Sequence, residues 1–265
     1  MFSIKKAYRR YFWNSDWGKI SFLKGLSNSD KNRKTLPDAK YQVFAFWTGN
    51  NAMSDNRKDC LRTLQSVLDV PLVFVTPKNL DEYIVTEHPL PKGFKFLSNV
   101  HKSDYLRSYF MYYHGGGYSD IKRITKPWRA SFELLNSRRD KEGLGYSELA
   151  SGVGYIRPDH EFLKREVYNL NLVMGENFSY LIGNGAYIFK PGSLVFERML
   201  EEQERRMYNY RHELEKYPGN IMGDNAGYPF RWTYLLGEIF HPIVYLLKDR
   251  LLVDDSIRPE FANYR

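Results

Sequence analysis

A single cysteine, Cys60, stands in a chain of 265 residues, so neither an internal disulfide nor a cysteine-based zinc site can form. Long apolar runs are missing too. The longest near the end, Ile243 to Leu247, falls far short of the roughly 20 residues that a membrane-spanning helix needs. Basic residues open the chain between Met1 and Asn14, but no apolar stretch follows them as in a secretory signal. The six histidines show no His-x-x-x-His zinc spacing. No internal repeat or low-complexity tract is evident. These absences lead us to expect a soluble or peripherally membrane-bound chain in a reducing compartment such as the cytoplasm.

What is present is more telling. Hydrophobic residues make up 43% of the chain, enough for a sizeable core. Aromatics are abundant, with 21 Tyr, 17 Phe and 5 Trp; such rings fill cores, but they also stack on sugars and bases. The net charge of +8 is concentrated: residues 1–40 carry ten basic and three acidic side chains, and the remaining residues are almost neutral. That distribution argues against nucleic acid as a partner, because beyond residue 40 no excess of cations is available to track phosphates. Within the basic segment, Ile4, Ala7, Tyr8, Tyr11 and Phe12 follow helical spacing, opposite Lys5, Lys6, Arg9 and Arg10. A basic amphipathic helix of this kind suits an anionic membrane surface; it equally suits packing of its aromatic face on the protein.

Two regions follow from this division: 1–40 as a basic helical segment and linker, and 41–265 as the domain proper. Tyr41 to Trp47 reads as a strand ending at a turn, Asp55 to Leu68 as a helix, and Pro71 to Val75 as a second buried strand. Further on, Ala186 to Phe189 reads as strand, Ser193 to Leu214 as helix, and Arg231 to Leu247 as a helix interrupted near Pro242. Alternation of this kind defines an α/β domain with a mostly parallel, Rossmann-like sheet flanked by helices. Ligands of such sheets sit beyond the carboxyl ends of the strands, which points to Trp47, Thr48 and Gly49. A Trp at a strand end also arises from simple packing.

The most informative stretch runs from His101 to Lys122. Tyr105, Leu106, Tyr109, Phe110 and Tyr113 give one buried helical face, with Asp104 and Arg107 adjacent on the same helix. Gly115, Gly116 and Gly117 then end the helix, and Tyr118 to Ile121 enters a strand that delivers Asp120 beside the glycine turn. On a strand, Asp120 and Lys122 would share a face. Asp104 and Arg107 taken alone would read as a surface ion pair.

The order Ser103-Asp104-x-x-Arg107, aromatic helix, Gly-Gly, aromatic residue and Asp120 resembles the DXD region of sugar transferases. It is most similar to glycosyltransferase family 32 and related capsular polysaccharide synthesis proteins. Phe44 to Gly49, ending Trp-Thr-Gly, is similar to their first strand, and the likeness extends from Tyr41 to Trp128, fading by Lys190. The resemblance implies a GT-A fold and a hexosyltransferase that moves sugar from a nucleotide-sugar donor to a glycan or lipid-linked acceptor. Retention of configuration and a role in capsule or surface polysaccharide synthesis at the inner face of the membrane are implied in the same way. By position, Trp47 would stack on the nucleobase, with Thr48, Gly49, Gly116 and Gly117 beside the donor. Asp104 and Arg107 would contact the donor sugar and its phosphates.

Asp120 would be the first acid of the motif, touching ribose and a divalent metal, manganese or magnesium. The second acid is absent. Lys122 stands in its place, which puts metal dependence in question, since an ammonium cannot ligate a cation. Lys122 either supplies positive charge to the departing diphosphate or points away from the site. A catalytically inactive sugar- or nucleotide-binding homologue is the alternative reading. On the acceptor side, Asn184 and Trp232 are candidates, although turn chemistry explains Asn184 equally well. His241, inside an apolar stretch, reads as a core histidine, and Glu201 to Arg206 as a solvated helix face.

Overall fold

A computed structural model describes residues 17–26, 35–157 and 164–264. The basic helix expected within 1–14 lies outside these described residues.

The first strand, β1 (Val43–Phe46), is apolar throughout and buried on both faces. Helix α1 (Asp55–Val67) follows, its start capped by Ser54, whose side chain accepts from the Arg57 backbone N–H. Then come β2 (Leu72–Val75), helix α2 (Asn99–Tyr113) and β3 (Gly116–Ser119). Helix α3 (Arg129–Ser137), β4 (Gly143–Ser147), helix α4 (Lys164–Glu176) and β5 (Ile182–Phe189) make up the middle of the chain. Helices α5 (Leu194–Asn209), α6 (Arg211–Lys216) and α7 (Gly237–Leu246) and the short β6 (Leu251–Val253) complete it.

The strands form one six-stranded sheet in the order β2-β1-β3-β5-β4-β6. Strand β1 pairs in parallel with β2 and β3, β4 pairs in parallel with β6, and β5 runs antiparallel to β3 and β4. The expected mostly parallel sheet with flanking helices is therefore what forms. Side chains alternate across it. Phe44, Phe46, Tyr118, Tyr187 and Phe189 join α2, α5 and α7 on one face, while Val43, Ala45, Leu144, Ala186 and Ile188 join α1 and α3 on the other.

Several sequence expectations need adjustment. Strand β3 begins at the glycines and ends before Asp120. Gly115 (φ +63°) makes the turn out of α2, and Gly116 (φ +101°) already opens the strand in a conformation that favours glycine. The Ser193–Leu214 helix breaks at Tyr210, and Arg231 to Leu236 stays outside α7. The stretch Glu201 to Arg206 is solvated on one side only, at Glu201, Glu204 and Arg205. Glu202, Gln203 and Arg206 are buried, and Glu202 accepts from both Arg205 and Arg206. Ile20, Leu23 and Leu26 belong to the same buried cluster as the sheet, so the folded body also takes in residues 17–26, ahead of residue 41.

Candidate active site

Because β1 and β3 are parallel neighbours, their carboxyl ends open on the same sheet edge. Trp47 follows one and Asp120 the other. Helix α2 runs back along β3, which places its amino-terminal turns at that edge as well. A cavity of about 290 Å³ lies there, lined in part by Trp47, Thr48, Gly49, Arg107, Asp120, Lys122 and Trp232. Seven residues expected from sequence thus meet around one space. Three lining cations, Arg57, Arg107 and Lys122, face one lining carboxylate, Asp120.

The turn after β1 is fixed by polar contacts. The Trp47 indole N–H donates to the Asn51 carbonyl at 2.9 Å, and the Thr48 hydroxyl to the Asn99 carbonyl at 2.5 Å. Any side chain at Gly49 would strike Asn99, since an added Cβ would lie 2.1 Å from its amide nitrogen. These contacts leave Trp47 half-buried, with part of the ring turned to the cavity.

Asp120 sits at the centre of a charge network. Its backbone N–H donates to the Gly185 carbonyl on β5 at 2.8 Å. The Tyr118 hydroxyl donates to Oδ1 at 2.6 Å, and Lys122 Nζ to Oδ2 at 2.8 Å. Arg107 Nη2 lies 3.6 Å from Oδ1 and 3.2 Å from Asp104 Oδ1, and its guanidinium stacks 4.6 Å from the Tyr118 ring centre. Lys122 reaches Asp120 through a tight turn, not a shared strand face: its backbone N–H bonds back to the Asp120 carbonyl at 2.7 Å. The side chain is 10% exposed and turned inward.

Burial by itself would raise the Asp120 carboxyl, but Lys122 and Arg107, with the hydrogen bonds from Lys122 and Tyr118, outweigh it and hold the group down to about 2. Asp104 behaves oppositely. Only 3% exposed, it is pushed up to about 7 by burial, against the pull of Arg107 and with the Asp120 charge adding to the rise. Proton linkage then gives a testable sign. Between about pH 4 and 7 the unfolded chain has ionised this carboxyl and the folded one has not, so Asp104 lowers stability as pH rises. His101, lowered to about 4 by burial, acts the other way, raising stability through about pH 4 to 6.5. The wild-type profile should therefore be shallow over that range. In Asp104→Asn, urea unfolding across that range should show stability climbing steeply with pH; a profile unchanged from wild type would contradict the assignment.

Not every expected residue reaches the cavity. Asp104 lies behind Arg107 and orients it without lining the space. Gly116 and Gly117 sit at the far end of β3, where Gly116 (φ +101°) approaches the Gln42 carbonyl and Gly117 packs on Val43 and Trp128. They serve close packing and lie away from the cavity. Asn184 contributes its backbone: its carbonyl accepts from Arg107 Nη1 at 2.9 Å, and the residue is not part of the cavity lining. Trp232 stands at the rim, 52% exposed, beside the exposed Ile221 and Met222. His241 is a core residue, accepting from the Gly154 N–H at 2.7 Å and lying 3.2 Å from Glu148.

Arg57, Asn99 and Tyr264 line the cavity unannounced by any motif, and Ser103, which opens the Ser-Asp-x-x-Arg motif, joins them with no role read for it from sequence. His101 was also missed as a structural tether. Its Nε2 donates to the Arg231 carbonyl at 3.1 Å, so Nδ1 must accept, taking the Tyr228 hydroxyl at 2.8 Å. That pins the segment carrying Trp232 to the start of α2.

No family model matches the chain, and no curated protein is significantly similar to it in sequence. Among solved structures, the fold is similar to one titled PaToxG Glycosyltransferase, at 13% identity, 91% coverage of this chain, 79% of that chain and a TM-score of 0.38. At that TM-score the likeness says nothing about function, and the functional reading rests on the geometry of the site.

Proposed function

We propose that this protein is a GT-A-type glycosyltransferase whose cavity binds a nucleotide-sugar donor. The observation that carries the reading is the convergence of an indole, a guanidinium, a carboxylate and an ammonium on one space at the carboxyl edge of a mostly parallel sheet. Trp47 supplies a face for the base, Asp120 accepts from ribose or hexose hydroxyls, and Arg107 and Lys122 meet negative charge. The sequence resemblance to family 32 and capsule synthesis proteins supports the same reading. It also favours a retaining reaction and a glycan or lipid-linked acceptor at the cytoplasmic face of the membrane.

The residues present do not fit a divalent metal. Both oxygens of Asp120 are already taken by cationic or hydroxyl donors, and no group of three or more metal-ligating side chains occurs among the described residues. A hard cation needs several oxygen ligands and would be repelled by the neighbouring ammonium. The Lys122 charge takes over stabilisation of the leaving diphosphate.

The chemistry follows from the charges. A general base works best with a pKa near the operating pH, and Asp120 at about 2 is far too weak for that task. Asp104, nearer that range, does not line the cavity, so the acceptor hydroxyl oxygen forms its bond to the anomeric carbon as the carbon–oxygen bond to the diphosphate breaks, and its proton passes to the departing phosphate oxygen. Positioning and electrostatics supply the acceleration. The exposed Trp232, with Ile221 and Met222, supports an acceptor subsite at the rim of the cavity. Incubation of purified protein with a panel of nucleotide sugars should release nucleoside diphosphate from one of them, faster with acceptor. Binding without turnover of any donor would support the inactive homologue instead.

A further inference from the structure

Arg57 projects from the first turn of α1 into the cavity wall, where its Nη1 donates to the Ile121 carbonyl at 2.6 Å. Its guanidinium lies 4.7 Å from the centre of the Tyr264 ring. The Lys122 ammonium lies 4.9 Å from the same ring centre and 4.7 Å from that of Phe261. One ring thus gathers two cations from different elements. Among the described residues no carboxylate lies within ion-pair distance of Arg57, and the carboxylate that pairs with Lys122 is shared with Arg107. Three cations around one carboxylate, in a partly buried space, repel one another unless an anion joins them. The lining side chains alone therefore carry a net charge of two, matching in magnitude and opposite in sign a diphosphate diester; Asp104, behind Arg107, offsets one of these charges where it is ionised.

We propose that Arg57, Lys122 and the Tyr264 ring between them form the diphosphate subsite of the cavity, a fixed pair of cations standing where other sites place a metal. The proposal deepens the donor-site reading and rests on it. Each part has a distinct task. The planar guanidinium offers a fork matched to phosphate oxygens, the ammonium a compact charge. The Tyr264 ring holds both cations in place through its negative face, so residues 261–264 are part of the binding site. As the glycosidic bond breaks, charge on the diphosphate grows, and the pair binds it more strongly than it binds the intact donor.

Isothermal titration calorimetry of the full chain in EDTA tests this, with inorganic pyrophosphate, nucleoside diphosphates and their parent nucleosides as probes. Wild type should bind pyrophosphate without metal. Arg57→Gln and Tyr264→Ala should each weaken pyrophosphate and nucleoside diphosphate by at least about tenfold, the size expected for a lost charge-assisted contact, and leave the parent nucleoside unaffected. Equal weakening of nucleoside and diphosphate would show that Arg57 merely holds the Ile121 turn, and would overturn the proposal. So would pyrophosphate binding that depends on manganese. Nucleotide sugars that bind wild type and Arg57→Gln alike would remove the subsite and leave the donor reading standing. Selective pyrophosphate binding, with no nucleotide sugar bound by wild type, would remove the donor reading.

Discussion

Asp120→Asn is expected to lower kcat by roughly a hundredfold to a thousandfold, the scale seen when one preorganised electrostatic group is removed from a catalytic site. The carboxylate is the common partner of Lys122, Tyr118 and Arg107. An amide of the same size presents an N–H₂ group to one of those donors, so the ammonium or the phenol must turn away. Donor atoms held by them shift, and a displacement on the order of 1 Å at the reacting centre costs about a hundredfold. The substitution also removes the only lining carboxylate among the described residues and makes the space more positive. Inorganic pyrophosphate, which has no ribose for residue 120 to hold, should therefore bind the variant at least as tightly as wild type. Steady-state kinetics paired with calorimetry checks both halves. A fall in kcat with unweakened pyrophosphate affinity is the expected pattern; unchanged turnover would exclude Asp120 from the chemistry.

Lys122 gives the second large effect. Wild-type turnover should be unaffected by EDTA, because the ammonium 2.8 Å from Asp120 occupies the place of a cation. Lys122→Met, which keeps the length and loses the charge, should reduce kcat by about a hundredfold, through lost stabilisation of the leaving group. Lys122→Asp reverses the charge and recreates an Asp-x-Asp pair. It should be inactive in EDTA and regain part of its activity with manganese, since two carboxylates then offer oxygens to a hard ion. Wild-type activity that stops with chelator and returns with manganese would contradict the role given to Lys122.

How much of this was legible in the sequence depends on distance along the chain. Trp47 was found because it follows the short apolar strand β1, and Asp120 because it follows the glycine turn in a DXD-like motif; parallel strands with helical crossovers bring their carboxyl ends together. Asp104 and Arg107 were correctly paired, but periodicity does not tell how deeply a helix is buried. Helix α2 is covered on nearly every side, so a pair that read as a surface contact became an interior one. Gly116 and Gly117 were misplaced because glycine signals both turns and close packing, and here strand β3 begins on them. Arg57 and Tyr264 carried no local signal. They are more than 200 positions apart and meet only because α1 and the segment after β6 flank the same turn at residues 120–122. Glu202 and Arg206 looked solvated by composition, whereas mutual charge pairing allows both to sit inside.

The most direct measurement is calorimetric titration of the purified chain with a panel of nucleotide sugars in EDTA, alongside Trp47→Ala and Arg107→Gln. Ligand held by this cavity should bind wild type with one site per chain and lose at least about tenfold in affinity in each variant. Binding of no member of the panel, or affinity indifferent to both substitutions, would contradict the assignment of the cavity to an activated sugar.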